Sequence, residues 1–177
     1  MTELAIAGER GFEISLVDAP DPDGKPNYTL ETLRKLRAGL GAHAALFCLM
    51  GADSFVSLRK WRGAVEIPFA ATLIVASRPG LQLDDLSTLR GTGLSLEPST
   101  VPDEFAASPV DLLVFVVRDC NGRTAPFYLL PGLDVEISAS AIRAQAQAQT
   151  QTGSPVDEAP VLPPAVNEYI RARGLYR

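Results

Sequence analysis

Ala44-Ala45-Leu46-Phe47-Cys48-Leu49-Met50-Gly51-Ala52-Asp53 runs apolar without a break to Met50 and then closes on Gly-Ala-Asp. An unbroken apolar run of this length suits a strand buried on both faces. A second such run spans Phe69 to Ala76, with Ala-Ala-Thr-Leu-Ile-Val-Ala at its end. Between the two, Asp53 to Trp61 reads as a short helix. Ahead of the first, Thr29 to Arg37 reads as a helix with Leu30, Leu33 and Leu36 on one face and Thr29 as a candidate cap. Behind the second, Asp84 to Arg90 has helical character. Strands alternating with helices imply an α/β chain with a doubly wound parallel sheet.

Outside this central stretch, Phe12-Glu13-Ile14-Ser15-Leu16-Val17 alternates apolar and polar residues and predicts a strand. Asp18 to Asn27 carries prolines and a glycine and predicts a loop. Residues 92–110 are rich in Pro, Ser and Thr and predict a long surface loop. Leu112–Val117 and Ala125–Leu130 are apolar runs flanking an Asn121-Gly122 pair, so 111–131 predicts a β-hairpin. Ala144 to Thr152 alternates Ala with Gln or Thr and predicts a helix that frays. An acidic, Pro-containing linker, 153–160, precedes a closing helix over Pro163–Arg173, with a proline in its first turn and Gly174 as its C-terminal cap. The whole, 1–177, reads as one domain.

Composition sets the outer bounds. The chain has 177 residues, 46% apolar and 21% charged, which suffices for a sizeable core. It contains no apolar run long enough to span a membrane, and its start lacks the basic flank and apolar core of a secretory signal. A net charge of −5 argues against a general nucleic-acid partner, which needs a basic face. Cys48 and Cys120 lie in or beside apolar runs and read as buried, reduced thiols, and they have neither the spacing nor the histidine partners of a zinc site. The single histidine, His43, reads as a solvated loop residue.

Several residues carry chemistry by type and position. Gly51 and Asp53 follow a buried strand, where ligands of open α/β sheets bind. Gly51 lets a ligand approach the backbone, and Asp53 can accept both hydroxyls of a ribose; a tight turn with Asp53 as a cap fits the spacing equally. Trp61 sits among Arg59, Lys60 and Arg62, a setting that suits stacking on a pyridine ring beside a negative group, or packing at a helix end. Arg78 follows the second buried strand and can face a phosphate, or solvent. Ser138, Ser140 and Arg143 lie in Ile137-Ser138-Ala139-Ser140-Ala141-Ile142-Arg143, ahead of helical sequence. A serine at a helix start, the free N–H groups behind it and a nearby guanidinium make an anion site; an ordinary capped helix also fits.

Taken in order, Tyr28-Thr29-Leu30-Glu31-Thr32-Leu33, Leu49-Met50-Gly51-Ala52-Asp53, Leu58-Arg59-Lys60-Trp61, Ser77-Arg78-Pro79-Gly80, Ser138–Arg143 and the tail Leu162-Pro163-Pro164-Ala165-Val166-Asn167-Glu168-Tyr169-Ile170 with Gly174-Leu175-Tyr176 closely resemble bacterial nicotinate-nucleotide adenylyltransferase. The resemblance runs from about Leu4 to Tyr176 and is weak between Leu81 and Leu133, where the 111–131 hairpin has no clear counterpart in the family and so reads as an inserted β-hairpin. It implies a Rossmann-like nucleotidyltransferase of NAD biosynthesis in the cytoplasm, joining ATP and nicotinate mononucleotide with Mg²⁺ accompanying ATP. It implies that Tyr28, Thr29, Trp61, Arg62 and Arg78 hold the nicotinate nucleotide. Gly51, Asp53, Ser138, Ser140 and Arg143 would hold ATP. Arg62 stands where the family commonly has Tyr or His, and Ser140 where it has Thr.

The resembled family opens with Gly-Gly-x-Phe-Asp-Pro-x-His-x-Gly-His, whose histidines hold ATP phosphates, and no such loop is present here. The resemblance therefore implies a sheet incomplete at its N-terminal side and an internal Met1, with little activity expected from this chain alone. The alternative is a degenerate, non-catalytic nucleotide-binding or interaction module. Lost leading strands would expose an apolar edge and favour self-association.

Overall fold

A computed structural model describes residues 1–41, 43–77, 89, 92–102, 110–131, 142–144 and 162–176. They fall into two compact units, Val17–Val135 and the pairing of Met1–Leu16 with Glu136–Arg177.

The larger unit is built on five strands. They are β1 (Phe47–Gly51), β2 (Thr72–Ala76), β3 (Leu94–Ser99), β4 (Leu113–Asp119) and β5 (Thr124–Leu130), in the spatial order β1-β2-β5-β4-β3. β1, β2 and β5 run parallel, while β4 lies antiparallel to β5 and β3 antiparallel to β4. The expected α/β frame is present as a mixed sheet: β1 and β2 carry the two apolar runs, the hairpin supplies β4 and β5, and Leu94–Ser99 adds β3; β1 lies at the edge of the sheet with Phe47 and Leu49 exposed, so it is not buried on both faces as its composition predicts. β5 hydrogen-bonds directly beside β2, so that arm of the hairpin is a central strand of the sheet. The hairpin turns through Asp119–Gly122, closed by the Gly122 N–H donating to the Asp119 carbonyl at 3.1 Å, with Gly122 at φ +80°. Only glycine takes that conformation cheaply, which is the physical content of the Asn-Gly signal.

Helix α2 (Thr29–Leu40), after the short N-terminal α1 (Thr2–Ala5), buries Leu30 and Leu33 in the core of the larger unit. Helix α3 (Ala52–Ser57) follows β1 and runs into a 3₁₀ turn at Leu58–Lys60. A second 3₁₀ turn at Ala64–Glu66 leads into α4 (Ile67–Ala70) and β2. The core joins these layers: Phe55, Leu58, Ile67, Leu73, Val75, Val117 and Phe127 are fully buried. Phe127 meets Phe55 at 5.3 Å and Phe115 at 5.9 Å between ring centroids, both in tilted or edge-on geometries favoured by ring quadrupoles. In the smaller unit α1 packs against α5 (Pro164–Arg173). Gly174 ends α5 at φ +57°, as its sequence predicts.

Four local expectations are corrected. Phe12–Val17 is irregular rather than a strand, with Phe12 68% and Leu16 79% exposed. Alternation makes a strand only when a neighbour takes its backbone groups, and no described strand does. Within 92–110, Leu94–Ser99 is a strand, because pairing with β4 overrides a loop-like composition; Pro98 is tolerated there because β3 is an edge. Thr29 does not cap α2: the N-cap position is Tyr28 and no side chain caps the helix. Cys120 is exposed in the hairpin turn, while Cys48 is half-buried in β1. The expected helix over Asp84–Arg90 lies outside the described residues apart from buried Leu89, as do most of Ala144–Thr152 and all of the 153–160 linker.

Candidate functional site

The parallel strands end together: Gly51 is level with Ala76, and Ala76 with Leu130. Gly51 closes β1 with φ −75°, ψ 160° and is the N-cap of α3. A Cβ built there would meet nothing within 4 Å, so the backbone at this strand end is open to an incoming group. Asp53 is exposed in the first turn of α3, where a carboxylate suits the helix dipole. Beyond β2, the Ser77 N–H donates to the Leu130 carbonyl at 2.9 Å and fixes the direction in which the chain leaves the sheet.

The start of α2 and the loop after α3 come together. The Arg62 guanidinium lies 4.6 Å from the centre of the Tyr28 ring, a cation–π distance. Next to it, Gly63 takes φ +68°, and a Cβ there would fall 2.4 Å from Leu30 Cδ2. A left-handed, side-chain-free residue therefore lets the 61–63 backbone press onto the first turn of α2. Trp61 is half-buried, packs against the core and donates its indole N–H to Ser57 Oγ at 3.1 Å. It is thus a packing residue and a partly exposed ring at once, more tied to the core than its cationic neighbours suggest. The Tyr28 carbonyl accepts the Glu31 N–H at 2.9 Å, while Thr32 Oγ1 donates to Asp18 Oδ1 at 2.8 Å, tying the 18–27 loop to this end of α2. With no side-chain cap, the positive end of the α2 dipole lies at Tyr28, the residue whose ring faces the Arg62 guanidinium.

Behind the loop stands a cluster that the sequence did not announce. Arg123, just after the hairpin turn, donates to Asp119 Oδ2 at 2.7 Å and forks onto Glu66 at 2.8 and 3.1 Å. Its guanidinium also lies 4.3 Å over the Phe69 ring. Asp119 is buried and accepts two further backbone N–H bonds, from Asn121 and Arg123. Bonds from Arg123 hold both the Asp119 and Glu66 carboxyls below the usual carboxylate range, and the two acids push Arg123 up. Burial pushes the Cys48 thiol up, away from the thiolate form that a nucleophile needs. His43 is exposed, as expected.

Tyr28, Thr29, Trp61 and Arg62 thus share one locale of the larger unit, and Gly51 and Asp53 share the end of β1. Arg78, Ser138 and Ser140 lie outside the described residues. Arg143 is described, exposed in the helical stretch Ile142–Ala144 of the smaller unit. There it lines a cleft of about 320 Å³ with Met1, Val166, Ile170 and Tyr176.

The chain matches no protein-family model. Curated proteins from bacteria do match it. "Probable nicotinate-nucleotide adenylyltransferase" of Stenotrophomonas maltophilia is 36% identical over 185 residues, covering 100% of this chain and 72% of the relative. The chain belongs to the nicotinate-nucleotide adenylyltransferase family. Proteins of the same name from Chromobacterium violaceum and Pelobacter propionicus are 34% and 32% identical, covering 100% and 99% of this chain and again 72% of each relative. Membership of this enzyme family places the chain in NAD biosynthesis. No helix among the described residues is long and apolar enough to cross a membrane.

Proposed function

We propose that this member of the adenylyltransferase family binds nicotinate mononucleotide at the junction of α2 and the Trp61–Gly63 loop, and ATP along Gly51, Asp53 and the Ser138–Arg143 segment. The observation that carries the reading is the meeting of Tyr28, Arg62 and the uncapped start of α2 beside half-exposed Trp61. A pyridine carboxylate needs an aromatic face and a positive spot next to it, and this locale offers both. Thr29 joins it as the first residue of α2. Arg62, at the position where the family commonly has Tyr or His, is compatible with the role, because its side chain stacks on Tyr28 and adds charge where the ring's carboxylate would lie. In this reading Arg78 faces the phosphate of the nicotinate nucleotide. Gly51 gives ATP room, Asp53 takes ribose hydroxyls, and Ser138, Ser140 and Arg143 hold ATP phosphates.

The reaction is in-line. An oxygen of the nicotinate nucleotide's phosphate forms a bond to the α-phosphorus of ATP, the α–β phosphoanhydride bond breaks, and pyrophosphate leaves. Such a transfer asks the protein mainly to position two phosphates and stabilise charge. Mg²⁺, arriving with ATP, would supply charge neutralisation on the phosphate oxygens. Among the described residues there is no group of three or more His, Cys, Asp or Glu that could hold a metal. The family's paired-histidine loop has no counterpart here, so we expect negligible turnover from this chain alone, below the usual enzymatic range of roughly 1–10³ s⁻¹. The work belongs to the cytoplasm in this reading, with no nucleic-acid partner. Self-association would run through β1, the sheet edge where Leu49 is 67% exposed.

Calorimetry with nicotinate mononucleotide, with ATP and with both tests the assignment. Saturable binding of the mononucleotide that is lost in Trp61→Ala supports it, and mononucleotide binding indifferent to Trp61→Ala contradicts it. Pyrophosphate release at enzymatic rates would overturn the expectation of inactivity.

A further inference from the structure

We propose that Glu66 and Arg123 are positioning residues for the Trp61–Gly63 loop, so that the β4–β5 hairpin sets the geometry of the nicotinate end of the site. This rests on the reading of that loop given above. The loop is held at three points. Trp61 is tied back to Ser57 by its indole N–H, and Gly63 is seated on Leu30. The third point is Glu66. Its N–H donates to the Gly63 carbonyl at 2.9 Å, and the Ala64 N–H donates to the Trp61 carbonyl at 3.2 Å. Two short backbone bonds therefore make 61–66 a single tight coil, and whatever fixes Glu66 fixes the far side of Trp61.

Arg123 fixes Glu66. The contact is a two-pronged fork, at 2.8 and 3.1 Å, which constrains direction as well as distance. The arginine itself cannot wander. Its Nε–H is held by Asp119 at 2.7 Å, its plane lies over Phe69, and Asp119 is locked in the turn by two backbone N–H donors. Rigidity passes from the hairpin turn through Arg123 to Glu66, and from Glu66 through the coil to Trp61. A lysine at 123 could keep the charge but not the fork. The cluster stands outside the substrate contacts proposed above, so its effect would be on where Trp61 sits and not on what touches the ligand.

The test uses the chain's single tryptophan. Glu66→Gln and Arg123→Lys both preserve shape, and circular dichroism and thermal melts confirm that each folds. Acrylamide quenching of Trp61 in the free protein is expected to rise in both. Affinity for nicotinate mononucleotide is expected to fall roughly two- to fivefold, the effect of losing one well-formed ion pair. ATP affinity is expected to stay unchanged. Unchanged quenching and unchanged mononucleotide affinity in both folded variants would overturn the proposal. So would equal losses for the mononucleotide and ATP, which would mean a merely structural cluster. Should the unmodified chain fail to bind the mononucleotide, the reading of the site falls, while the quenching comparison still decides whether the hairpin positions the loop.

Discussion

Gly63→Ala is the substitution whose cost the structure specifies best. Gly63 sits at φ +68°, ψ 28°, and a Cβ there would lie 2.4 Å from Leu30 Cδ2, inside any allowed contact. Placing a non-glycine residue in the left-handed region costs about 1–2 kcal/mol. Moving buried Leu30 aside in a packed core costs a further ~1–3 kcal/mol. Alanine's smaller unfolded-state entropy returns about 0.4–1 kcal/mol. The net loss should be about 1–4.5 kcal/mol, or roughly 2–18 °C in Tm for a chain of this size. Urea unfolding followed by circular dichroism reads the effect, with an unchanged m-value showing that the same surface unfolds. Gly39→Ala is the control. It lies inside α2 with no atom within 4 Å of its Cβ position, so alanine should stabilise by about 0.5–1 kcal/mol. A Gly63→Ala loss under about 0.5 kcal/mol, the ordinary surface range, would refute the seating of the loop on Leu30.

Other substitutions separate fold from function. Gly51→Ala meets open space in an allowed conformation, so stability should change by less than about 0.5 kcal/mol while ATP affinity falls; unchanged ATP affinity would reduce Gly51 to a turn residue. Asp119 and Glu66 have lowered pKa values, so the folded state binds fewer protons than the unfolded one. Their stabilisation is present at neutral pH and is lost as pH falls into and below the ordinary carboxylate range, near about pH 4. Arg123→Gln should flatten that acid slope in urea titrations from neutral to acid pH, and an unaltered slope would count against the cluster. Arg143→Ala should weaken ATP binding roughly 10- to 150-fold, the effect of losing a charge-assisted contact, with a smaller effect on nicotinate mononucleotide; intact ATP affinity would remove Arg143 from the site.

The sequence carried β1 and β2 because both are continuous apolar runs, although only β2 lies inside the sheet, while β1 is an edge strand that leaves Phe47 and Leu49 exposed. Asn121-Gly122 carried the hairpin for an equally local reason. β3 was illegible because its residues, among them Ser95, Glu97 and Pro98, have no strand preference of their own and are strands only by pairing with β4. Phe12–Val17 failed in the opposite sense, a strand-like pattern that enters none of the described strand pairs. At the site, Trp61 stood out by its type and its cationic flanks, but its bond to Ser57 four residues earlier needed the helix to be seen. Gly63 and the Glu66–Arg123 pair were missed altogether. Glu66 and Arg123 are 57 positions apart, and nothing in either local sequence announces the other. The glycine after Trp61-Arg62 was the one available hint, since a left-handed residue is a common reason for a glycine there.

Nicotinate mononucleotide is proposed above to bind against Trp61. A titration of the chain with that nucleotide, reading emission from its single tryptophan, tests it most directly. A saturable change in Trp61 emission is expected, with an apparent affinity that weakens in Arg62→Ala. Emission that stays constant while calorimetry on the same sample shows the nucleotide bound would contradict it.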